Sequence, residues 1–275
     1  PHRTDIQTVV DDSPGKESSA TDGAFNTQEE ELSQRLSTGC QVSEKTGWVI
    51  RGLGRSFGES PLNQIYPLAK AKLEGMKGMP TNVKHAVDHG WSSADSHVEK
   101  SLDGRNEEDL FKHLAIYKKL SEDGLVDSIM TSHVVHPLSK DPEVEFGLSA
   151  YWLEMLRNHV GPKPFIMSDC LSMGAIKESK AIKKKQHAKQ GSKDVDYLVE
   201  AIACASNPVK YRKDEYIPGD VGVHTDLVLV CNKPIKVIEK ILQVMTFVPD
   251  RSVKERLSNV QLWSEKKLSE KKVGP

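Results

Sequence analysis

Residues 125–135 read Leu-Val-Asp-Ser-Ile-Met-Thr-Ser-His-Val-Val, a run without glycine or proline in which apolar side chains dominate. Such a run is typical of a strand buried on both faces, as strands of parallel sheets are. Shorter runs of the same kind occur at residues 82–87, 165–167 and 226–231. Amphipathic segments separate these runs. Alternation of buried strands and amphipathic helices predicts an α/β fold in which helices cover a parallel sheet.

The helices between these strands have recognisable starts. Asn106 and Ser149 are good N-cap residues, and an acidic first turn follows Asn106. Ser60 followed by Pro61 predicts a third helix start. The apolar stripe predicted for that third helix consists of Ile65, Leu68, Ala69, Leu73 and Met76. Two further helices are expected at residues 234–245 and 253–260.

The first 48 residues differ from the remainder because they contain few large apolar side chains. Within them, residues 6–11 predict a short strand, residues 12–26 a loop and residues 27–36 a helix. We therefore expect two parts: residues 1–48 as an N-terminal segment that supplies first strand and helix units, and residues 49–275 as the main domain with C-terminal helices.

The composition excludes several function classes. The chain has 275 residues, and its 38 Lys and Arg against 39 Asp and Glu give a net charge of −1. A neutral chain has no overall field that attracts nucleic acid or an anionic membrane, so neither is expected as a partner. No apolar stretch approaches the roughly 18 residues of a membrane span. No leader pattern is visible at the start, which favours a cytoplasmic protein.

Four cysteines, Cys40, Cys170, Cys204 and Cys231, stand far apart in the sequence. Without a Cys-x-x-Cys pair, the spacing disfavours a zinc ribbon or a disulfide framework. Each cysteine is expected to be a small buried apolar residue beside a strand, in a reducing compartment.

Polar residues with catalytic potential follow three of the predicted strands. In parallel α/β folds, functional side chains gather at the carboxyl ends of the strands. Asp169 follows the third strand, and His133 and His136 follow the second. The residues after the first strand include Lys84, His85, His89, Asp95 and His97.

Three interpretations of these residues compete. In the first, Asp169 is a nucleophile, and Asp95 orients His97 for proton transfer. In the second, His85, His89, Asp95 and His97 bind a metal ion, although their spacing matches no strong zinc motif. In the third, the histidines only satisfy loop carbonyl groups. Composition and spacing leave all three open.

An ordered series of segments resembles the bacterial β-N-acetylglucosaminidases of glycoside hydrolase family 3. Residues 84–90, Lys-His-Ala-Val-Asp-His-Gly, resemble that family's Lys-His-Phe-Pro-Gly-His-Gly loop, and Asp-Ser-His at 95–97 matches the segment that follows it. Residues 168–173, Ser-Asp-Cys-Leu-Ser-Met, resemble its Ser-Asp-Asp-Leu-Ser-Met. Further similar segments are residues 54–58, 127–134, 149–157 and 226–232.

This resemblance implies a (β/α)8 barrel of the TIM type, shortened or irregular at its N-terminal end, and a retaining glycosidase. Asp169 would be the nucleophile, and His97 with Asp95 the acid and base. Arg55, Lys84 and His85 would hold sugar hydroxyl groups. Asp11 is a poor match to a further sugar-binding aspartate. The substrate would be an N-acetylglucosamine-containing glycan of the cell wall, handled during peptidoglycan recycling by a monomer that needs no cofactor and no metal.

Several departures from the family pattern bear on that expectation. Val87 and Asp88 stand where the family has Pro-Gly, and Cys170 stands where it has Asp. The family's first barrel strand has no counterpart, and the chain between residues 173 and 226 is longer than is usual. Two rival functions follow: a barrel that binds a sugar or a partner without turnover, and a metal-dependent hydrolase built on the His and Asp cluster.

Overall fold

The computed structural model describes residues 7–9, 50, 54–58, 60–87, 89–141, 143–186, 193–206, 209–212, 215–218, 225–231 and 239. Its strands are β1 (Gln7–Val9), β2 (Asn82–Ala86), β3 (Ser101–Leu102), β4 (Ser128–Thr131), β5 (Val134–Val135), β6 (Phe165–Cys170), β7 (Val209–Arg212), β8 (Glu215–Pro218) and β9 (Leu227–Leu229). Its α-helices are α1 (Tyr66–Gly75), α2 (Glu107–Glu122), α3 (Ala150–Val160), α4 (Gly174–Glu178), α5 (Lys180–Gln186) and α6 (Lys193–Ser206). A π-helical turn, Pro61–Ile65, precedes α1, and a 3-10 turn, Phe146–Leu148, precedes α3.

The main sheet has the order β1-β2-β4-β6-β9. The pairs β2–β4, β4–β6 and β6–β9 are all parallel. Helix α2 connects the first of these pairs, α3 the second, and α4 to α6 lie between the strands of the third. Four neighbouring parallel strands with helical connections are the repeating pattern of a (β/α)8 barrel. The predicted TIM-type α/β fold is thus confirmed, as a partial barrel.

The N-terminal edge of the sheet departs from a regular barrel. Strand β1 pairs with β2 in the antiparallel direction, with Gln7 opposite Lys84 and Val9 opposite Asn82. A single antiparallel strand at the edge of an otherwise parallel sheet is a common arrangement. Its direction places the carboxyl end of β1 beside the amino end of β2.

The run at residues 125–135 forms two short strands rather than one. Ser132 still bonds to the main sheet, because its N–H donates to the Ala86 carbonyl oxygen of β2 (2.6 Å). The chain then forms β5, which pairs with β3 in a separate two-stranded sheet. The prediction of one continuous strand was therefore wrong beyond Thr131.

Two of the three predicted helix caps are confirmed. The Asn106 side chain accepts a hydrogen bond from Asp109 N–H (2.9 Å), and Ser149 accepts one from Trp152 N–H (3.3 Å). The third helix start is also where it was predicted, with Ser60 at the N-cap and Pro61 first in the turn, although the Ser60 side chain makes no cap bond. Leu68, predicted to lie on the buried stripe of α1, is 51% exposed. In an α-helix of 3.6 residues per turn, Leu68 points about 100° away from Ala69, and the buried face carries Ala69 and Leu73, four residues apart.

Two groups of buried apolar side chains form the core. The larger packs α1, α2 and α3 against the sheet and includes Leu114, Ile129 and Trp152. The smaller lies around α4, α5 and α6 and includes Ile176 and Leu198. No helix within the described ranges has both the length and the apolar character needed to cross a membrane.

The cysteines behave differently from the prediction. Cys204 is buried but lies in α6, Cys170 is half-buried at the end of β6, and Cys231 is exposed just after β9. Strand ends meet solvent where strand middles do not, so only Cys204 is withdrawn from water. The expectation that all four are buried beside strands was wrong for Cys231. Cys40, the predicted helices at 27–36, 234–245 and 253–260, and the boundary at residue 48 lie outside the described residues.

Candidate active site

Asp169 lies near the carboxyl end of β6, among donors from neighbouring strands. Its Oδ2 is 3.5 Å from Nε2 of His85, which is buried on β2. Its Oδ1 accepts a hydrogen bond from the N–H of Cys170 (2.7 Å). The Asp169 side chain keeps only 16% of its surface exposed. One carboxylate is thus held by two donors in a site that is largely closed to water.

The charge state of Asp169 follows from opposing effects. Burial favours the neutral acid, but His85, then His133, the Cys170 N–H and Lys84 favour the carboxylate, and together they lower the pKa of Asp169 below its ordinary value of 3.8. The lowered pKa keeps Asp169 ionised at neutral pH. An ionised, desolvated carboxylate is what nucleophilic attack requires.

The Asp95–His97 pair lies on the loop that follows β2. Oδ1 of Asp95 accepts hydrogen bonds from both the N–H and the Nδ1 of His97, each at 2.9 Å. Because a carboxylate only accepts, Nδ1 carries a proton, and Nε2 is the atom that exchanges protons with a substrate. Desolvation opposes ionisation of Asp95, yet the hydrogen bonds from His97 prevail and lower its pKa.

The loop that carries His97 is attached to the start of α4, which follows Asp169 in the chain. The N–H of Gly174 donates to the His97 carbonyl oxygen (2.8 Å), and the N–H of Ala175 donates to that of Ser96 (3.0 Å). The backbones approach so closely that a Cβ atom at Gly174 would lie 2.0 Å from the Val98 carbonyl oxygen. The structure therefore joins the segments that contain the two predicted catalytic groups.

The buried side chain of His89 bonds to the same loop. Its Nε2 lies 2.7 Å from the Ser96 hydroxyl and its Nδ1 lies 2.8 Å from the Ser92 hydroxyl. With both ring nitrogens occupied by serines, His89 is buried and supports the loop. This arrangement matches the structural interpretation for this one histidine.

The predicted binding residues have different outcomes. Lys84 and His85 lie on β2 near Asp169, and both act electrostatically on its carboxylate. Arg55 is half-buried before the π-helical turn, and its N–H donates to the Ile50 carbonyl oxygen (2.8 Å). Its role toward a sugar stays a prediction. Asp11 lies outside the described residues.

Sequence reasoning noted His133 but gave it no role. Its Nε2 lies 3.2 Å from the Cys170 carbonyl oxygen, so the ring lies directly beneath the Asp169–Cys170 peptide. Complete burial lowers the pKa of His133, although Asp169 acts in the other direction. The signal that could have identified it was its position two residues after β4, on the same sheet edge as Asp169.

The geometry does not favour the metal interpretation. His85 faces Asp169, His97 is paired with Asp95, and His89 is bonded to two serines. Across the part of the chain that the structure describes, no three His, Cys, Asp or Glu side chains converge as metal ligands would.

Comparison with known proteins places this fold and site in a family. Residues 18–193 match the model of the glycosyl hydrolase family 3 N-terminal domain. That match covers more than half of the chain, and the chain belongs to glycosyl hydrolase family 3.

Individual relatives agree with this assignment. The chain is 32% identical to a beta-hexosaminidase of Vibrio cholerae over 197 residues, which are 70% of this chain and 49% of that protein. It is 31% identical to a beta-hexosaminidase of Actinobacillus pleuropneumoniae over 206 residues, 74% of this chain and 50% of that one. The chain thus spans about half the length of the curated relatives it matches.

Solved structures show the same fold. A family 3 beta-N-acetylglucosaminidase from Paenibacillus superposes with a TM-score of 0.55 at 21% identity, over 77% of this chain and 35% of that one. A beta-N-acetylhexosaminidase from Beutenbergia cavernae gives 0.53 at 19% identity, over 84% and 58%.

Proposed function

We propose that this chain is a retaining glycoside hydrolase that removes terminal β-linked N-acetylglucosamine. Asp169 is the nucleophile in this proposal, and Asp95 with His97 supplies the acid and base. The observation that carries it is the pair of backbone hydrogen bonds from Gly174 and Ala175 to the His97 loop, since they join the nucleophile's segment to the proton-transfer pair. The curated relatives, named beta-hexosaminidases, support the same reaction class.

The reaction proceeds in two displacements. In the first, the Asp169 carboxylate attacks the anomeric carbon while Nε2–H of His97 protonates the departing glycosidic oxygen. In the second, Nε2 of His97 takes a proton from water, the water oxygen attacks the anomeric carbon, and the bond to Asp169 breaks. This scheme replaces one of the two carboxylates of most glycosidases by a histidine and its carboxylate partner.

The substrate class belongs to the same proposal. Lys84 and His85 are hydrogen-bond donors beside Asp169, suited to sugar hydroxyl groups, and Arg55 is a third candidate donor. We infer terminal N-acetylglucosamine on cell-wall muropeptides as the substrate, met in the cytoplasm during peptidoglycan recycling by a monomeric protein.

The deciding experiment is hydrolysis of a chromogenic β-N-acetylglucosaminide by the wild-type chain and by Asp169→Asn. The amide has no charge and does not attack the anomeric carbon, so we expect turnover to fall to the background rate while circular dichroism stays unchanged. Glu154→Gln, a matched change on the exposed face of α3, is the control and should retain the wild-type rate.

Two outcomes would overturn parts of the proposal. A folded Asp169→Asn protein with the wild-type rate would end the nucleophile assignment. A wild-type chain that binds N-acetylglucosamine in calorimetry but never hydrolyses the glycoside would favour the rival reading, a sugar-binding barrel without turnover.

A further inference from the structure

Two cysteines meet at the carboxyl ends of β6 and β9, directly beside Asp169. The Cys231 N–H donates to Sγ of Cys170 (3.1 Å). The Ser172 hydroxyl bridges the same two residues, 3.0 Å from Sγ of Cys170 and 3.2 Å from the Cys231 carbonyl oxygen. These strands are parallel neighbours in which Cys170 lies opposite Leu229, so Cys231 follows two residues beyond the partner of Cys170.

The Cys170 thiol also affects the ionisation of Cys231. Desolvation, and after it hydrogen bonding and charge interaction with the Cys170 thiol, raise the pKa of Cys231 to about 11. Cys231 is exposed and Cys170 half-buried, so a small reagent in solution reaches the pair.

We propose that Cys170 and Cys231 form a reversible disulfide that switches off the site at Asp169. The oxidant is a small-molecule disulfide such as oxidised glutathione. Because its raised pKa leaves Cys231 mostly as the thiol, the reaction proceeds through its small thiolate fraction, which grows with pH. That thiolate attacks one sulfur of the reagent, whose S–S bond breaks and releases one glutathione thiolate. The Cys170 thiolate then attacks the Cys231 sulfur of the mixed disulfide and releases the second. The two protein thiols are oxidised, and their protons end on the two glutathione molecules.

The link to the site is the peptide between Asp169 and Cys170. The Cys170 N–H holds Oδ1 of Asp169, and its carbonyl oxygen accepts from His133. A disulfide brings the sulfurs to about 2.05 Å, closer than any thiol contact, and so displaces Cys170. Since a misplacement of about 1 Å can cost about 10²-fold in rate, we expect the oxidised protein to lose at least about tenfold in turnover. This activity readout rests on the proposed function; the disulfide itself does not.

The test is incubation of the full chain with oxidised glutathione at mildly alkaline pH, followed by non-reducing peptide mapping. We expect a cross-linked peptide that joins residues 170 and 231, lighter by two hydrogens than the reduced pair and released by dithiothreitol. Cys231→Ser should abolish the cross-link and make turnover insensitive to the reagent. Cys204→Ser, which changes a buried cysteine of α6, is the matched control and should behave as the wild type.

The outcomes separate this inference from the proposed function. A stable glutathione adduct on Cys231 without ring closure, or a cross-link from either cysteine to Cys40, would overturn the disulfide. A mapped 170–231 cross-link that leaves turnover unchanged would overturn the switch. A chain that forms the cross-link but hydrolyses no glycoside when reduced would refute the hydrolase and leave the disulfide standing.

Discussion

Asp169 retains its negative charge although most of its side chain is withdrawn from water. Burial alone would neutralise it, and the surrounding donors reverse that tendency. Three of the groups that lower its pKa, His85, His133 and the Cys170 N–H, lie at the ends of β2, β4 and β6. The ionisation of this carboxylate is therefore set by the alignment of neighbouring strands and not by any single neighbour in sequence.

His97→Ala tests the proton-transfer role. General acid catalysis contributes about 10²–10⁴-fold, mainly where the leaving oxygen needs a proton. We therefore expect a large loss of kcat with alkyl glycosides and a small loss with nitrophenyl glycosides. Asp95→Ala should give the same pattern to a smaller degree, since it acts through His97. The measurement is kcat over a series of leaving groups.

His159→Ala, at the end of α3, provides the matched histidine control and should show no dependence on the leaving group. Equal losses for good and poor leaving groups in His97→Ala would remove His97 as the acid.

At the residue scale, the sequence was informative where chemistry depends on short spacing. Only Ser96 lies between Asp95 and His97, so their bond was predictable. The position of His133 beneath the Asp169–Cys170 peptide was not, because it depends on how β4 ends and how far the chain then turns. The exposure of Cys231 was missed for the same reason.

At the scale of elements, the start of α4 does more than continue the chain from β6. The Gly174 N–H supports the His97 loop at a distance that admits no side chain. Gly174→Ala would place a methyl carbon 2.0 Å from the Val98 carbonyl oxygen, far inside van der Waals contact, so the loop must move. We expect the fold to persist and kcat to fall about tenfold or more, measured with a nitrophenyl substrate.

Gly75→Ala at the end of α1 is the control, since an added Cβ meets no atom there within 4 Å. Wild-type kcat in Gly174→Ala would mean that the loop position is irrelevant to turnover.

Glu145 joins the 3-10 turn before α3 to the helices after β6. It is fully buried, and Oε2 accepts a hydrogen bond from the Ser179 hydroxyl (2.6 Å). Burial raises the pKa of Glu145 from 4.5 to about 7, against the opposing effects of Ser179 and Lys100, while Glu143 adds to the rise. The folded protein therefore keeps a proton that the unfolded chain releases.

The raised pKa of Glu145 sets the direction in which stability changes with pH. Between pH 4.5 and about 7 the folded state binds more protons than the unfolded state, so Glu145 makes the free energy of unfolding decrease as pH rises through this window. Glu145→Gln does not titrate, so its stability relative to the wild type should increase with pH by up to about 3 kcal/mol. Urea denaturation at several pH values measures this. Parallel profiles for the two proteins would contradict it, and Glu154→Gln should run parallel to the wild type.

Element boundaries show what periodicity can and cannot predict. Strand starts and the caps at Asn106 and Ser149 depend on local chemistry and were predicted. The split of residues 125–135 into β4 and β5 depends on pairing with β3, in which Ser101 lies opposite Val134, a residue far from it in the chain. A local pattern contains no information about such a partner.

For the whole molecule, the two apolar clusters pack on one sheet. The larger includes Ile166 of β6. Val228 of β9, the strand that pairs with β6, packs against the smaller. We expect one cooperative unfolding transition, with Trp152→Ala lowering the free energy of unfolding by about 3–5 kcal/mol and Leu198→Ala by about 2–5 kcal/mol. Urea titrations followed by circular dichroism measure both.

Leu62→Ala, at an exposed position of the π-helical turn, should change stability by less than about 0.5 kcal/mol. Two separate transitions, each moved by only one of the core variants, would show that the clusters unfold independently.

The fold class was accessible from sequence because alternation of strands and helices is a long-range regularity. The direction of β1 was not, since three residues pair equally well in either direction. The ordered motifs led to the family, and the pairing of Cys170 with Cys231 appeared only once the strands were side by side.

The attachment of the His97 loop to α4 has a consequence for motion. Thermal displacement of α4 carries the nucleophile's segment and the proton donor together, so the gap between them should fluctuate less than the position of either one. If Asp169 and His97 act together as proposed, this shared motion keeps their spacing constant while the whole segment moves.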